Sequence, residues 1–343
     1  MDQNNVGVKR GWDTLKTILH EHESFVFSTH SEPDADGVGS ELGLARYLRS
    51  IGKKVHILNP SPLRLNLNFL PDKSEIQVYN PDLHVQVLEQ AEVFIAFDIG
   101  NFDRLDRLCP DLETTDIIKI SIDHHPGDKS QFDHRFDYPS ASSTGVLVAD
   151  LIGELDAAYL EQIQIAEPLY AAIMSDTGNF RYNNTDPETF YTAGRLVAAG
   201  VKPYDLYVKI YEDLNTPGRL LVLQRLLSEL HYDCDGRLAW SLINFDELRN
   251  LGATTDDLHS LSDFIRSIKG VEIGVSFTKM DSQPTDVSFR SKGQIPINTV
   301  ARQFNGGGHA FAAGCRVDDS LEASGKAVIE ACRLVIQEWD NNA

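Results

Sequence analysis

A chain of 343 residues is too long for one compact core, and 42% apolar with 24% charged residues is ordinary globular composition. Two folded domains are therefore expected, and wholesale disorder is excluded. Lysine and arginine number 31 against 51 aspartates and glutamates, a net charge of −20. Such a surface repels long polyanions and anionic membranes, which excludes broad electrostatic binding of duplex nucleic acid.

Met1 to Arg10 is polar, with no apolar core of signal-peptide length. No later stretch approaches the roughly 18 apolar residues of a membrane span. Cys109, Cys234, Cys315 and Cys332 show no CxxC pair and no metal-ligand spacing. The expectation is a soluble cytoplasmic protein with reduced cysteines.

In chain order, Phe25 to His30 is a short apolar run that ends abruptly in polar residues. A helical pattern follows, with Val38, Leu42, Ala45 and Leu48 on one face and Gly52 as the stop. Val55 to Leu58, Ile76 to Tyr79, Val93 to Phe97 and Ile117 to Ile122 are further β-rich runs, and Ser142-Ser143-Thr144 marks a helix start. Buried strands with helices between them describe an α/β fold with a doubly wound, mostly parallel sheet. Past Gly200 the pattern changes. Lys202 to Glu212 and Pro217 to Leu230 read as helices, broken at Asn215-Thr216-Pro217-Gly218. Leu238 to Ile243, Val271 to Met280 and Asp286 to Arg290 read as strands, with helices near 255–269, 296–304 and 321–338. That is a second, smaller α/β unit.

Ligands of open α/β sheets sit beyond the carboxyl ends of the strands. The first strand runs into His30-Ser31-Glu32-Pro33-Asp34-Ala35-Asp36-Gly37, another ends at Asp98, and a third ends in Asp123-His124-His125. Asp176 closes the apolar helical segment Leu169 to Met174. A single aspartate after a strand is ordinarily a turn former or helix cap. The convergence of several on one sheet edge is what points to chemistry. Imidazole and carboxylate together suit Mn²⁺ or a similar first-row cation better than an all-oxygen Ca²⁺ cage. Glycines 37, 39 and 43 fail the dinucleotide-binding spacing, because Leu42 stands where G-x-G-x-x-G needs its third glycine.

These motifs resemble those of the DHH phosphoesterases: His30…Asp34-x-Asp36, then Asp98, then Asp123-His124-His125, then Asp176. Downstream, Phe304-Asn305-Gly306-Gly307-Gly308-His309-Ala310…Gly314 is similar to the GGGH motif of the DHH-associated domain. One departure is Ile99, where the family more often has a small polar residue. The length and soluble character resemble the oligoribonuclease (nanoRNase) and pAp phosphatase branch. The resemblance implies a metal domain at 1–200, a linker at 201–217 and a substrate-binding domain at 218–343.

It further implies two divalent ions, Mn²⁺ first, with Mg²⁺ or Co²⁺ as alternatives. His30, Asp34 and Asp98 would hold one; Asp36, Asp98, His124 and Asp176 would hold the other. Asp123 would orient the ligand histidine His124 or its neighbour, and His125 would reach the scissile phosphate as donor or general acid. In the second domain Arg290 would grip a substrate phosphate, with Gly307, Gly308 and His309 lining a phosphate-binding loop. Arg104 stands open between substrate contact and a structural ion pair.

The implied activity is two-metal hydrolysis of short single-stranded oligonucleotides, of 3′-phosphoadenosine 5′-phosphate (pAp), or of both, in a cleft between the domains. No duplex or membrane partner is expected, and the chain would act as monomer or homodimer. Rivals are a cyclic dinucleotide (cyclic di-AMP) phosphodiesterase with the same metal core and a nucleotide-binding regulator without catalysis. Against the superfamily's inorganic pyrophosphatases stands the GGGH run, since those carry a different second domain.

Overall fold

The computed structural model describes residues 10–342 except 73, 128, 129, 214, 215 and 282. The side chains of His309 and Asn342 are likewise outside the described residues, as are the Met1 to Lys9 stretch and Asn215 named above. The chain divides into two units after Glu212. No described helix is long and apolar enough to cross a membrane.

In the first unit six strands form one sheet: β1 (Ser24–Thr29), β2 (Lys54–Asn59), β3 (Ile76–Val78), β4 (Val93–Phe97), β5 (Ile118–Asp123) and β6 (His134–Asp137). Every pairing is parallel and the order is β3-β2-β1-β4-β5-β6. Strand residues alternate between two cores, as a pleat with period two requires. Phe25, Phe27, Ile95 and Phe97 pack with the helices Ala35–Ser50, Thr144–Asp156 and Ile163–Asp176. Val26, Phe94 and Ala96 face Leu88, Phe102 and Leu105 on the other side. Burial on both faces explains why these strands read as continuous apolar runs.

The order reverses between β1 and β4, which opens a crevice at their carboxyl ends. Thr29 Oγ1 donates to the Phe97 carbonyl at 2.9 Å and stitches the two ends together. Gly39, one of the glycines that tempted a dinucleotide reading, serves packing instead: a Cβ there would stand 2.2 Å from the Pro168 carbonyl oxygen. It lets the Ala35–Ser50 helix lie directly on Ile163–Asp176.

The second unit is built on another six-stranded sheet: β7 (Leu230–Asp233), β8 (Leu238–Asn244), β9 (Ile273–Lys279), β10 (Thr285–Ser291), β11 (Gly307–His309) and β12 (Ala312–Val317), in the order β11-β12-β10-β9-β8-β7. Only β8 and β9 pair in parallel. One face packs Val275, Phe277, Val287 and Phe289 against Val328, Ile329 and Cys332 of the helix Leu321–Asn342. The other covers Ala239 and Ile243 with Val222, Leu226, Leu261 and Ile265.

Several elements differ from the sequence expectation. The helix from Pro217 stops at Ser228, and Leu230 opens β7. The expected 255–269 helix is a short 3₁₀ turn, Thr255–Leu258, then the helix Leu261–Ser267, separated by Ser260 in the left-handed region with φ 53°. Lys202 to Glu212 is an α-turn followed by one π-turn. Within the GGGH run, Gly307–His309 forms β11, hydrogen-bonded to β12.

Candidate metal centre

Each strand at the switch point hands the chain to a ligand-bearing turn. After β1, His30 Nδ1 lies 2.7 Å from the Ser31 carbonyl oxygen, which can only accept. The ring proton therefore sits on Nδ1, and Nε2 is turned toward Asp34 Oδ2 at 3.5 Å and Asp98 Oδ2 at 3.6 Å. Asp34 is both cap and candidate ligand. Its Oδ1 accepts from the Asp36 and Gly37 amides at 3.0 and 3.2 Å, capping the Ala35–Ser50 helix, while Oδ2 faces the imidazole.

Asp36, in the first turn of that helix, is buried and held at both oxygens. The Thr144 amide donates to Oδ2 and the Gly145 amide to Oδ1, each at 2.8 Å. Those amides open the Thr144–Asp156 helix, whose N-terminus favours a carboxylate. Asp98 follows β4 with φ 54°, a left-handed backbone that aspartate tolerates better than most residues with a Cβ. From there its Oδ1 lies 3.4 Å from His124 Nε2 and 3.0 Å from His125 Nδ1, and it accepts from Thr144 Oγ1 at 3.2 Å.

After β5, His124 points Nδ1 at the Ala141 carbonyl at 3.3 Å, and its Nε2 stands 3.4 Å from Asp176 Oδ2 and 3.7 Å from Asp36 Oδ2. Asp123 ties two turns together. Its Oδ2 accepts from the Ile99 and Gly100 amides at 3.1 and 2.7 Å; its Oδ1 accepts from the His125 amide at 2.8 Å and lies 2.9 Å from His125 Nδ1. Asp176 ends the Ile163–Asp176 helix. Its carbonyl accepts from Asn184 Nδ2 at 3.1 Å, and the same amide group donates to the Ser142 carbonyl at 2.9 Å.

The donor atoms gather in three overlapping sets: His30, Asp34 and Asp98; Asp36, His124 and Asp176; and Asp98, His124 and His125. Within each set the atoms lie within 4.8 Å of one another. Among the described residues no lysine or arginine pairs with Asp34, Asp36, Asp98 or Asp176, whose ion-pair partners are imidazoles. Burial, together with the charges of Asp98 and Asp176, pushes the Asp36 carboxyl well above the usual range. Burial likewise lifts Asp176 to about 6. Asp98 is held well below the ordinary value, because the three imidazoles outweigh its burial. Burial opposes the protonated forms of His30 and His124, but the aspartates prevail and raise them to about 9 and about 10. Buried carboxylates neutralised only by protons on imidazoles form a site that fits divalent cations.

The structure thus gathers His30, Asp34, Asp36, Asp98, Asp123, His124, His125 and Asp176 at one sheet edge. Sequence reasoning missed the groups that hold them. Asn184 and the Thr144 and Gly145 amides act through contacts that no local pattern encodes. A further pair lies beneath: Asn59 accepts the Thr29 amide at 3.2 Å and donates to Glu41 Oε1 at 2.7 Å. Burial lifts the Glu41 carboxyl to about 8 against that hydrogen bond.

In the second unit the ladder sets Arg290 opposite Ala312, and Ala312 opposite His309, in one cross-strand row. Gly308 has φ 129°, and a Cβ there would stand 2.5 Å from the Ala312 carbonyl oxygen; at Gly307 it would meet nothing within 4 Å. Arg290 is committed within the unit, its Nε donating to Asp263 Oδ2 at 3.0 Å and its Nη1 to the Phe289 carbonyl at 3.0 Å.

Two family models match this chain: the DHH family, N-terminal domain, over residues 24–173, and the DHHA1 domain over residues 241–338. The chain belongs to the DHH family. This DHH-family phosphoesterase is 29% identical over 335 residues to the bifunctional oligoribonuclease and PAP phosphatase NrnA of Thermus thermophilus, covering 96% of each chain. It is also 29% identical to the NrnA of Bacillus subtilis, covering 86% of this chain and 90% of that one. Among solved structures, an exopolyphosphatase-related protein from Bacteroides fragilis aligns with TM-score 0.86 at 26% identity over 95% of both chains. Exonuclease RecJ bound to manganese shares the fold, with TM-score 0.53 at 15% identity over 94% of both. DHH enzymes depend on divalent metals, and the donor sets above fit them.

Proposed function

We propose that this phosphoesterase hydrolyses very short single-stranded oligonucleotides and pAp, using two Mn²⁺ ions. The observation that carries the reading is Asp98, whose two oxygens face His30 on one side and His124 on the other. The reading assigns His30, Asp34 and Asp98 to one ion, and Asp36, Asp98, His124 and Asp176 to the other. The mixed imidazole and carboxylate donors favour Mn²⁺ over Ca²⁺. Relatives named as oligoribonuclease and PAP phosphatase over nearly the whole chain support the substrate class.

When bound, paired divalent ions generate a nucleophile near neutral pH and stabilise the charge that builds on the phosphoryl group. The protein's own groups do the rest. Thr144 and Gly145 fix both Asp36 oxygens, so that carboxylate presents only its remaining lone pairs. Asp123 anchors His125 through Nδ1, and the reading gives His125 Nε2 the task of donating to the phosphoryl or leaving oxygen. The net charge of −20 provides no extended basic track, which favours short substrates over long strands. All four cysteines are free thiols, which fits the cytoplasm as the proposed compartment.

The test is Mn²⁺-dependent hydrolysis across pAp, a dinucleotide, a pentanucleotide, a long single strand and cyclic di-AMP. Turnover of pAp and the two short oligomers, with little on the long strand, is expected. Preference for cyclic di-AMP, or no turnover of any, would sink the reading.

A further inference from the structure

Arg104 lies in the turn after β4 and is exposed, yet its Nη2 stands 3.0 Å from Nδ1 of His30. Its backbone is fixed: the Arg104 carbonyl accepts from the Ser31 amide at 2.8 Å, and its amide donates to Asn101 at 3.1 Å. Many arginines of this acidic chain pair with carboxylates, as Arg46 and Arg49 do with Glu75, and Arg237 with Glu272 and Asp340. Arg104 has no carboxylate partner among the described residues. The contact with His30 cannot serve as one, because Nδ1 already donates to the Ser31 carbonyl when Nε2 faces a cation. The backbone thus holds Arg104 beside the metal centre, and beyond the Nη2 approach to His30 its guanidinium has no carboxylate to bind among the described residues.

The charge of the centre shows what it lacks. Asp34, Asp36, Asp98, Asp123 and Asp176 against two divalent ions leave one net negative charge, which does not attract a phosphate. A cationic donor besides His125 would offset that charge, provided that its donors reach an anion rather than a carboxylate of the site. Arg64 adds to the same field: burial raises the Asp34 carboxyl, and His30 with a smaller share from Arg64 brings it below its ordinary value.

We propose that Arg104 grips the phosphoryl group that comes to the metals, donating to its non-bridging oxygens as a substrate-binding residue of the metal domain. The inference rests on the phosphoester chemistry and metal assignment above, and not on which nucleotide is cleaved. A planar fork of N–H groups matches phosphate oxygens in a way that a lysine ammonium does not.

The experiment titrates inorganic phosphate into the Mn²⁺-loaded full-length protein by calorimetry, for wild type, Arg104→Lys and Arg104→Ala, with bound Mn²⁺ counted in each. Arg104→Ala should keep the wild-type Mn²⁺ stoichiometry and bind phosphate on the order of 10- to 100-fold more weakly; Arg104→Lys should recover part of that. Phosphate affinity within about twofold of wild type in Arg104→Ala would overturn the proposal. So would loss of Mn²⁺ in both variants, which would mean that Arg104 supports His30 and not the substrate. A wild type that cleaves bis(4-nitrophenyl) phosphate but neither pAp nor dinucleotides would defeat the substrate reading alone and leave the Arg104 result standing.

Discussion

Asp36 accepts a 2.8 Å hydrogen bond from the backbone amide of Thr144, a residue 108 positions later in the chain. The contact joins the first helix turn after β1 to the N-terminus of the Thr144–Asp156 helix. It places the positive end of that helix against a buried carboxylate that carries a raised pKa. The candidate ligands are thus oriented by backbone groups from remote segments as well as by one another.

Asp98→Asn should reduce turnover more than Asp34→Asn or Asp176→Asn at saturating Mn²⁺. The physical reason is that Asp98 belongs to two of the three donor sets and faces both His30 and His124, whereas Asp34 and Asp176 belong to one set each. Steady-state rates across a Mn²⁺ series decide it. A near wild-type rate in Asp98→Asn would remove the bridging assignment.

Asn184→Ala removes two hydrogen bonds, to the Asp176 and Ser142 carbonyls, without touching a candidate ligand. Groups that orient ligands in this way typically matter by about 10- to 100-fold in metal affinity or activity. Mn²⁺ binding should weaken by that order while the fold, followed by circular dichroism, stays intact. Unchanged Mn²⁺ affinity would show that the turn after Asp176 holds its shape without Asn184.

The metal-free protein should lose stability as pH rises. His30 and His124 have folded-state pKa values of about 9 and about 10, above the ordinary 6.5. Their contribution is therefore complete below about 6.5 and is lost as pH climbs through 9 to 10. The raised carboxyl of Asp176 acts in the same direction but at lower pH, its cost being complete once pH exceeds about 6. Mn²⁺ replaces those protons, so the loaded protein should keep its melting temperature across this window, and uptake at pH 7 should release protons. Melting curves of chelated and loaded protein from pH 6 to 10 are the measurement. Parallel curves would mean that the cluster does not hold the ions.

The parts of this site that were legible in the sequence are those a buried parallel strand makes legible. Val93 to Phe97 is apolar throughout because both faces are covered, so the polar residue at 98 marks the strand end without ambiguity. Two of the edge strands give no such signal. β6 is four residues with one buried position, and β11 is glycine and histidine, so neither has a two-faced core to read from. Asp34 shows why a cap and a ligand are hard to separate: one oxygen does each job. Arg290 is the opposite case. The family resemblance implies a phosphate grip for it, while its ion pair with Asp263 comes from a helix 27 residues earlier and could not be read locally.

Arg290→Ala and His309→Ala, in the second unit, leave every candidate ligand untouched, so Mn²⁺ stoichiometry should stay near normal in both. Each deletes a cationic or donor side chain from one cross-strand row of the β10–β12–β11 ladder. If that row contacts a substrate phosphate, efficiency on pAp should fall about 10- to 100-fold, the range of a charge-assisted hydrogen bond. An activated aryl phosphodiester without a second phosphate should be hydrolysed almost as before. Asp263→Asn separates the two roles Arg290 could have. It keeps the guanidinium but removes its 3.0 Å carboxylate partner, so a grip that needs Arg290 held in place should weaken in part, with KM rising more than kcat falls. Equal losses on pAp and on the aryl ester in all three variants would assign this row to the stability of the second unit, and the phosphate contact would have to be sought elsewhere.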